Sequence, residues 1–327
     1  MSKITVAAIA AASAATGAGL TALIYSSRPL QPPQQQQQSQ KLPPTQLGTT
    51  IPPSQPAPPS LASKASGGSP VDPSGIYQYG FPGPVADTLN SLPLTGAYDR
   101  RMRNPAWVAE HITPASLAQK NADRKNSTFF EDTTIPTAFR AKLADYFRSG
   151  YDRGHQVPAA DAKWSQGAMD ATFALSNMCP QVGEGFNRDY WAHFEDFCRN
   201  LANKYPSVRI VTGPLYLPHR DPDGKWRVSY EVIGNPPNVS VPTHFYKVIY
   251  AEEGPAGKVA LGAFVLPNAR ISNDRRLADF EVPLEVVERA SGLEFANKLE
   301  PSRRKRLCQE VKCEVTVREF NNAAKRT

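Results

Sequence analysis

The chain has 327 residues and a formal charge of +7, long enough for one large domain or two small ones. Residues 1–74 carry Lys3, Arg28, Lys41 and Lys64 against Asp72 alone, which leaves 33 basic and 29 acidic residues for the rest. So small a margin excludes nucleic-acid binding through bulk charge; any such affinity needs a local basic groove.

Residues 4–25 (ITVAAIAAASAATGAGLTALIY) form an uncharged run of 22 between Lys3 and Arg28, and no acidic residue precedes Asp72. A bilayer crossing takes about 20 apolar residues, so the run is long enough, although its Ala and Gly content makes a weak span. Three readings stay open on the residues: a cleaved secretory signal, a mitochondrial targeting segment without the usual Arg-rich amphipathic pattern, or a retained single-pass anchor. From Pro29 to Pro73 there are 12 prolines and 9 glutamines in 45 residues. That composition buries too little apolar surface to offset its ordering entropy and predicts a partly extended tether. The chain therefore divides into a targeting or membrane segment at 1–28, a linker at 29–74 and a folded domain at 75–327.

Within the domain, Tyr98 to Pro105 predicts a strand ending in an Asn-Pro turn, and Ala106 to Thr113 the returning strand, with His111 an ordinary polar residue on its face. Residues 119–135 are polar and loop-like, with Arg124 and Lys125 as candidate phosphate contacts. Pro136 to Tyr146 predicts a short helix. In the stretch Tyr151-Asp152-Arg153-Gly154-His155-Gln156-Val157-Pro158, two glycines at 150 and 154 bracket an extended segment, and Pro158 denies it a helical continuation. His155 therefore projects from backbone that cannot easily rearrange. The chain returns through Asp170 to Met178 towards Cys179-Pro180-Gln181, and Gly183 and Gly185 precede a helix predicted over Asn187 to Lys204. Its stripe of Trp191, Phe194, Cys198, Leu201 and Tyr205 recurs every three or four residues and belongs in a core. Asn187 opens that helix, and Glu195, eight residues on, lies roughly 80° around it, so both can face one cleft.

Val208 to Thr212, Tyr246 to Tyr250 and Val259 to Leu266 predict strands, and Pro283 to Ala290 a helix stopped by Gly292. Arg303-Arg304-Lys305-Arg306 is a basic run, better explained as a solvated face than as a phosphate contact. None of Cys179, Cys198, Cys308 and Cys313 forms a C-x-x-C pair, which argues against zinc. Cys308 and Cys313 are spaced for a local bridge, with idle thiols the preferred alternative.

Cutting a phosphodiester needs a deprotonated water, charge compensation on the nonbridging oxygens, and help for the departing 3′ oxygen. Neutral imidazole, with an ordinary pKa of about 6.5, suits the first task, and His155 is the candidate base. A divalent cation suits the other two, and Mg²⁺ keeps several waters and takes few protein ligands, all oxygen. The carboxamide of Asn187 is the candidate ligand, and Glu195 the group that orients the ion's water shell. Arg153 shares a strand face with His155 and carries a planar fork for phosphate. Asp152 then points away and anchors the loop.

At these residues the chain resembles the DNA/RNA non-specific endonuclease family, in its mitochondrial endonuclease G branch with fungal members, and more distantly the secreted bacterial members. The matching blocks are WVAEHIT (107–113), DRGHQVPAAD (152–161), LSNMCPQ (175–181), FNRDYWAHFED (186–196), VTGPLY (211–216) and HFYKVIY (244–250), in the family's order. The resemblance implies an α+β domain built on a ββα-metal (His-Me finger) core, a mixed or antiparallel sheet and flanking helices. It also implies His155 as general base, Asn187 as the protein ligand of Mg²⁺ (Mn²⁺ can substitute) and Glu195 in the water shell. Arg153, Asn177 and Arg124 match family positions near the scissile phosphate. The implied activity is hydrolysis of DNA and RNA, single or double stranded, to 5′-phosphate ends. The implied setting is a homodimer of the mitochondrial intermembrane space, or of the inner membrane if residues 4–25 are an anchor, acting in cell-death DNA degradation. A secreted nutritional nuclease shares this chemistry. A silent nucleic-acid-binding protein on the same scaffold does not need His155, Asn187 and Glu195 together.

Overall fold

Side chains alternate across a strand, so a run that is buried at both parities must be covered on both faces. The stretches Ser207–Leu215, His244–Glu252 and Val259–Pro267 are buried in this way, and they form the centre of the protein. The computed structural model describes residues 75–76, 78–80 and 87–317. The expected targeting segment at 4–25 and the tether at 29–73 lie outside the described residues. Among the described residues no helix is long and apolar enough to cross a membrane.

The chain lays down β1 (Asp87–Asn90), β2 (Thr95–Asp99) and β3 (Asn104–Ile112), then short helices α1 (Pro114–Ala118) and α2 (Leu143–Tyr146). Next come β4 (Tyr151–His155), α3 (Gln166–Ala171), β5 (Met178–Val182), α4 (Tyr190–Leu201) and β6 (Ser207–Leu215). A polar excursion carries the two-residue strands β7 (His219–Arg220), β8 (Trp226–Arg227), β9 (Val232–Ile233) and β10 (Val239–Ser240). The chain finishes with β11 (His244–Glu252), β12 (Val259–Pro267), β13 (Glu281–Val282), α5 (Leu284–Ser291), β14 (Arg304–Arg306) and α6 (Leu307–Glu310). The main sheet has eight strands, in the order β1-β2-β3-β6-β11-β12-β13 with β14 also on β12. Only the β12–β14 pairing among these is parallel.

Helix α4 covers one face. Its stripe of Trp191, Phe194, Cys198 and Leu201 packs with Ile210, Phe245, Ile249 and Phe264. Each such side chain taken fully out of water contributes about 1.5–3 kcal/mol. The other face packs Trp107, Val211, Tyr246 and Val248 with Val287 of α5 and Phe295. Gly292 ends α5 in a left-handed cap at φ 72°, a conformation glycine adopts without steric cost.

Two local expectations change. The turn before β3 is Arg100–Arg103 and not Asn104-Pro105. The carboxylate of Asp99 closes it early, accepting the N–H groups of Arg101 at 2.7 Å and Met102 at 3.1 Å. Pro105, which has no N–H to give a ladder, is taken into the strand just past an irregularity in the β2–β3 register. The helix expected over Pro136 to Tyr146 is broken into a single turn at Thr137–Phe139 and α2. Tyr98 interrupts it: its hydroxyl donates to Phe139 O at 3.0 Å and accepts from Ala141 N at 3.1 Å.

The basic run at 303–306 keeps Arg304 and Arg306 exposed, yet each of its side chains is engaged by its own chain. Arg303 donates to Gly257 O and Pro255 O, and Arg304 to Ala296 O and Leu299 O. Lys305 pairs with Glu253 and Glu310, and Arg306 with Glu281. Cys308 and Cys313 form a disulfide across α6, so they are not idle thiols, while Cys179 and Cys198 are free and buried.

Candidate active site

Strands β4 and β5 form a two-stranded antiparallel ribbon outside the main sheet, with His155 opposite Met178 and Tyr151 opposite Val182. Gly154 is required on the inner side. A Cβ there would fall 1.9 Å from Oε1 and 2.5 Å from Cγ of Gln181, which is wholly buried. His155 follows at the end of β4, 8% exposed, its ring 4.8 Å from Phe173 edge to face and 5.6 Å from Phe129. Its Nε2 is buried without a hydrogen-bond partner. Burial, with the nearby Arg124 charge, lowers its pKa from 6.5 to about 3, so the ring is neutral at physiological pH.

Both rings beside His155 also carry a guanidinium. Arg153 lies over Phe129 at 4.3 Å and Arg124 over Phe173 at 5.1 Å. Such stacking holds planar cations while leaving their N–H edges free to meet an anion. Arg153 and His155 thus meet the same ring, as the strand period requires. Asn177, expected near the scissile phosphate, is 1% exposed and its carboxamide is consumed by backbone. It accepts from Val157 N and donates to Val157 O, both at 3.0 Å, and donates to Thr172 O at 2.8 Å. It braces the chain leaving β4 and has no donor left for a phosphate.

Asn187 ends a wide turn over Gly183–Asn187, not the first turn of a helix, because Gly185 takes φ 78° and α4 begins only at Tyr190. The angular argument relating Asn187 to Glu195 around one helix therefore does not apply. What fixes Asn187 is Asp152 of β4: Asn187 Nδ2 donates to Asp152 Oδ2 at 2.9 Å, and Arg188 Nε pairs with the same oxygen at 3.1 Å. That bond sets which way the carboxamide faces, and among the described residues no donor engages Oδ1. One oriented amide oxygen fits a hard cation that takes few protein ligands. No group of three His, Cys, Asp or Glu side chains that could hold a metal occurs among the described residues.

Glu195 lies half-buried on α4. Burial chiefly, with Asp161 adding, raises its carboxyl to about 7, against the pull of Lys247, Arg199 and Arg124. Arg124 is the link between the two halves of the site, close enough to influence both His155 and Glu195.

The family model for DNA/RNA non-specific endonucleases matches residues 72–302. The chain belongs to the DNA/RNA non-specific endonuclease family. It is 61% identical over 287 residues to a mitochondrial nuclease of Saccharomyces cerevisiae, covering 86% of each chain. It is 44% identical over 245 residues to mitochondrial endonuclease G of Caenorhabditis elegans, covering 75% of this chain and 78% of that one. A crystal structure of an EndoG/EndoGI complex superposes with a TM-score of 0.69 at 44% identity, over 73% of this chain and all of its counterpart. As a member of this family the chain is an α+β, metal-dependent nuclease that acts on nucleic acid, and several of its relatives are mitochondrial nucleases.

For this non-specific endonuclease, sequence reasoning singled out the candidate base and the candidate amide ligand but not the groups packed around them. Phe129 sits in polar, loop-like sequence and Phe173 among apolar and small residues, and nothing in their spacing marks them as the walls of the candidate base. Asp152 was read as an anchor, and its adjacency to Arg153-Gly154-His155 was the available signal. The groups behind Glu195, namely Asp161, Arg199 and Lys247, come from separate elements with no shared motif.

Proposed function

We propose that this protein is a Mg²⁺-dependent endonuclease that hydrolyses DNA and RNA to 5′-phosphate ends, with Mn²⁺ able to replace Mg²⁺. The observation that carries the reading is that one strand supplies the neutral ring of His155 and, three residues earlier, the carboxylate of Asp152 that orients Asn187.

Asn187 Oδ1 would hold the cation. When bound, the ion neutralises charge on a nonbridging oxygen and on the departing 3′ oxygen. His155 takes the proton of the attacking water on a ring nitrogen, a role that requires the unprotonated ring its burial maintains. Arg153 and Arg124, fixed over their rings, bind the scissile phosphate and oppose the charge that develops on it. Glu195 would accept hydrogen bonds from the ion's hydration shell and keep it oriented. Contacts confined to the sugar-phosphate chain read little sequence, and binding through them weakens as salt rises.

The intermembrane space is the compartment we favour within the mitochondrion. Support comes from the mitochondrial relatives and from the Cys308–Cys313 bridge, which needs surroundings that let disulfides persist. The homodimer, and a part in DNA degradation during cell death, belong to the same proposal; sedimentation of the full chain tests the first.

His155→Ala tests the mechanism. Removing a general base costs about 10²–10⁴ in rate, so plasmid relaxation should fall by that factor while circular dichroism stays unchanged, and chelator should abolish the wild-type reaction. Turnover retained by the folded variant would defeat the assignment.

A further inference from the structure

Beneath α4 the sheet carries polar side chains that the reaction above does not use. Glu110 on β3 lies opposite Ile210, and Thr212 on β6 lies opposite Lys247 on β11, all on the face that α4 covers. Lys247 is buried; its Nζ donates to Thr212 Oγ1 at 2.9 Å and lies 4.8 Å from the Trp191 ring. Glu110 is 2% exposed, and neither of its carboxylate oxygens has a hydrogen-bond donor. Asp161, in the turn Ala159–Ala162, is also buried. Its Oδ1 accepts from Arg199 Nη1 at 2.7 Å, and its Oδ2 has no donor.

The two donorless acids are partners of each other: Glu110 and Asp161 stand within hydrogen-bonding reach. Two carboxylates approach in that way only with a proton between them. Burial, together with Asp161, also pushes the Glu110 carboxyl well above the usual range.

We propose that Glu110 is a positioning residue of the nuclease site: it keeps its proton and donates it to Asp161 Oδ2, leaving Asp161 Oδ1 to hold Arg199 beside Glu195. Arg199 also grips Asp196, so this chain of contacts ties the turn of α4 that carries Glu195 to the central sheet. The catalytic consequence rests on the role assigned to Glu195 above; the proton itself does not.

Two measurements on the full-length protein test it. The first is an infrared difference spectrum between wild type and Glu110→Gln at a pH of about 8, above the titration of Glu195 near 7. It should show the C=O stretch of a protonated carboxyl in wild type only. The second is steady-state cleavage. Glu110→Gln, whose amide N–H replaces the acid proton, should keep kcat within about twofold of wild type. Glu110→Leu should lower kcat by about tenfold or more with KM little changed, the usual scale for losing an outer support. A missing carboxyl band, Glu110→Gln falling as far as Glu110→Leu, or wild-type turnover in Glu110→Leu would each overturn the proposal. An ionised Glu110 acting as counter-ion to Lys247 would produce the first two. If Glu195 itself has no role, Glu195→Gln stays active while the infrared band persists, so the two failures are distinguishable.

Discussion

Removing Asp152 should change the metal requirement and leave the base alone. Its carboxylate takes Asn187 Nδ2 at 2.9 Å and Arg188 Nε at 3.1 Å, with its side chain 28% exposed. A hydrogen bond to a charged group contributes about 1.5–3 kcal/mol, and partial exposure places this one at the low end. About 1.4 kcal/mol is tenfold in an equilibrium constant. In Asp152→Ala the carboxamide can turn over and present its NH₂ to the cation, so the half-saturating Mg²⁺ concentration should rise about tenfold. Asp152→Asn keeps an acceptor oxygen without the charge and should fall between, at roughly threefold. The assay is plasmid relaxation across a Mg²⁺ gradient, with kcat at saturating metal expected within a few-fold of wild type. An unshifted midpoint in Asp152→Ala would refute the claim that this bond presents Asn187 Oδ1 to the ion.

Asn177→Ala should lose stability before it loses catalysis, because Val157 N–H, Val157 C=O and Thr172 C=O each lose a buried partner. At about 1–3 kcal/mol for an unsatisfied buried group, a loss of at least about 3 kcal/mol should appear in urea midpoints. Gly154→Ala drives its methyl into buried Gln181, and overpacking of about 1–3 kcal/mol should bring a lower melting temperature and weaker cleavage. The pH dependence of folding has a defined sign at His155. Its pKa is about 3 folded against 6.5 ordinarily, so the unfolded chain binds the proton first. The stability this provides is fully present above 6.5 and drains away as pH falls towards 3. His155→Gln should flatten that part of the melting-temperature profile, and an unchanged profile would count against the buried neutral ring.

How much of this was legible in the sequence depended on how local each cause was. The stripe Trp191, Phe194, Cys198 and Leu201 specified its own burial by spacing, and runs rich in apolar and β-branched residues marked strands at 208–212, 246–250 and 259–266, which the structure extends to Ser207–Leu215, His244–Glu252 and Val259–Pro267. Gly154, His155 and Pro158 fix a backbone by their own chemistry, so the candidate base stood out. The onset of α4 did not, since the left-handed Gly185 moves Asn187 into a preceding turn. The broken helix at Pro136 to Tyr146 was illegible for a related reason: the group that breaks it, the Tyr98 hydroxyl, lies some forty residues away. Asn177 looked like a substrate contact, yet its partners are backbone groups that composition and spacing do not announce.

The quartet at 303–306 is the densest concentration of cations in the domain, and its side chains grip carbonyls and acids of the same molecule. A charge-reversal library there would sort clones on a thermal ramp while their gel lanes stayed alike. Under the proposed function, the grip on a polyanion falls instead to isolated arginines such as 124 and 153, each parked on an aromatic shelf.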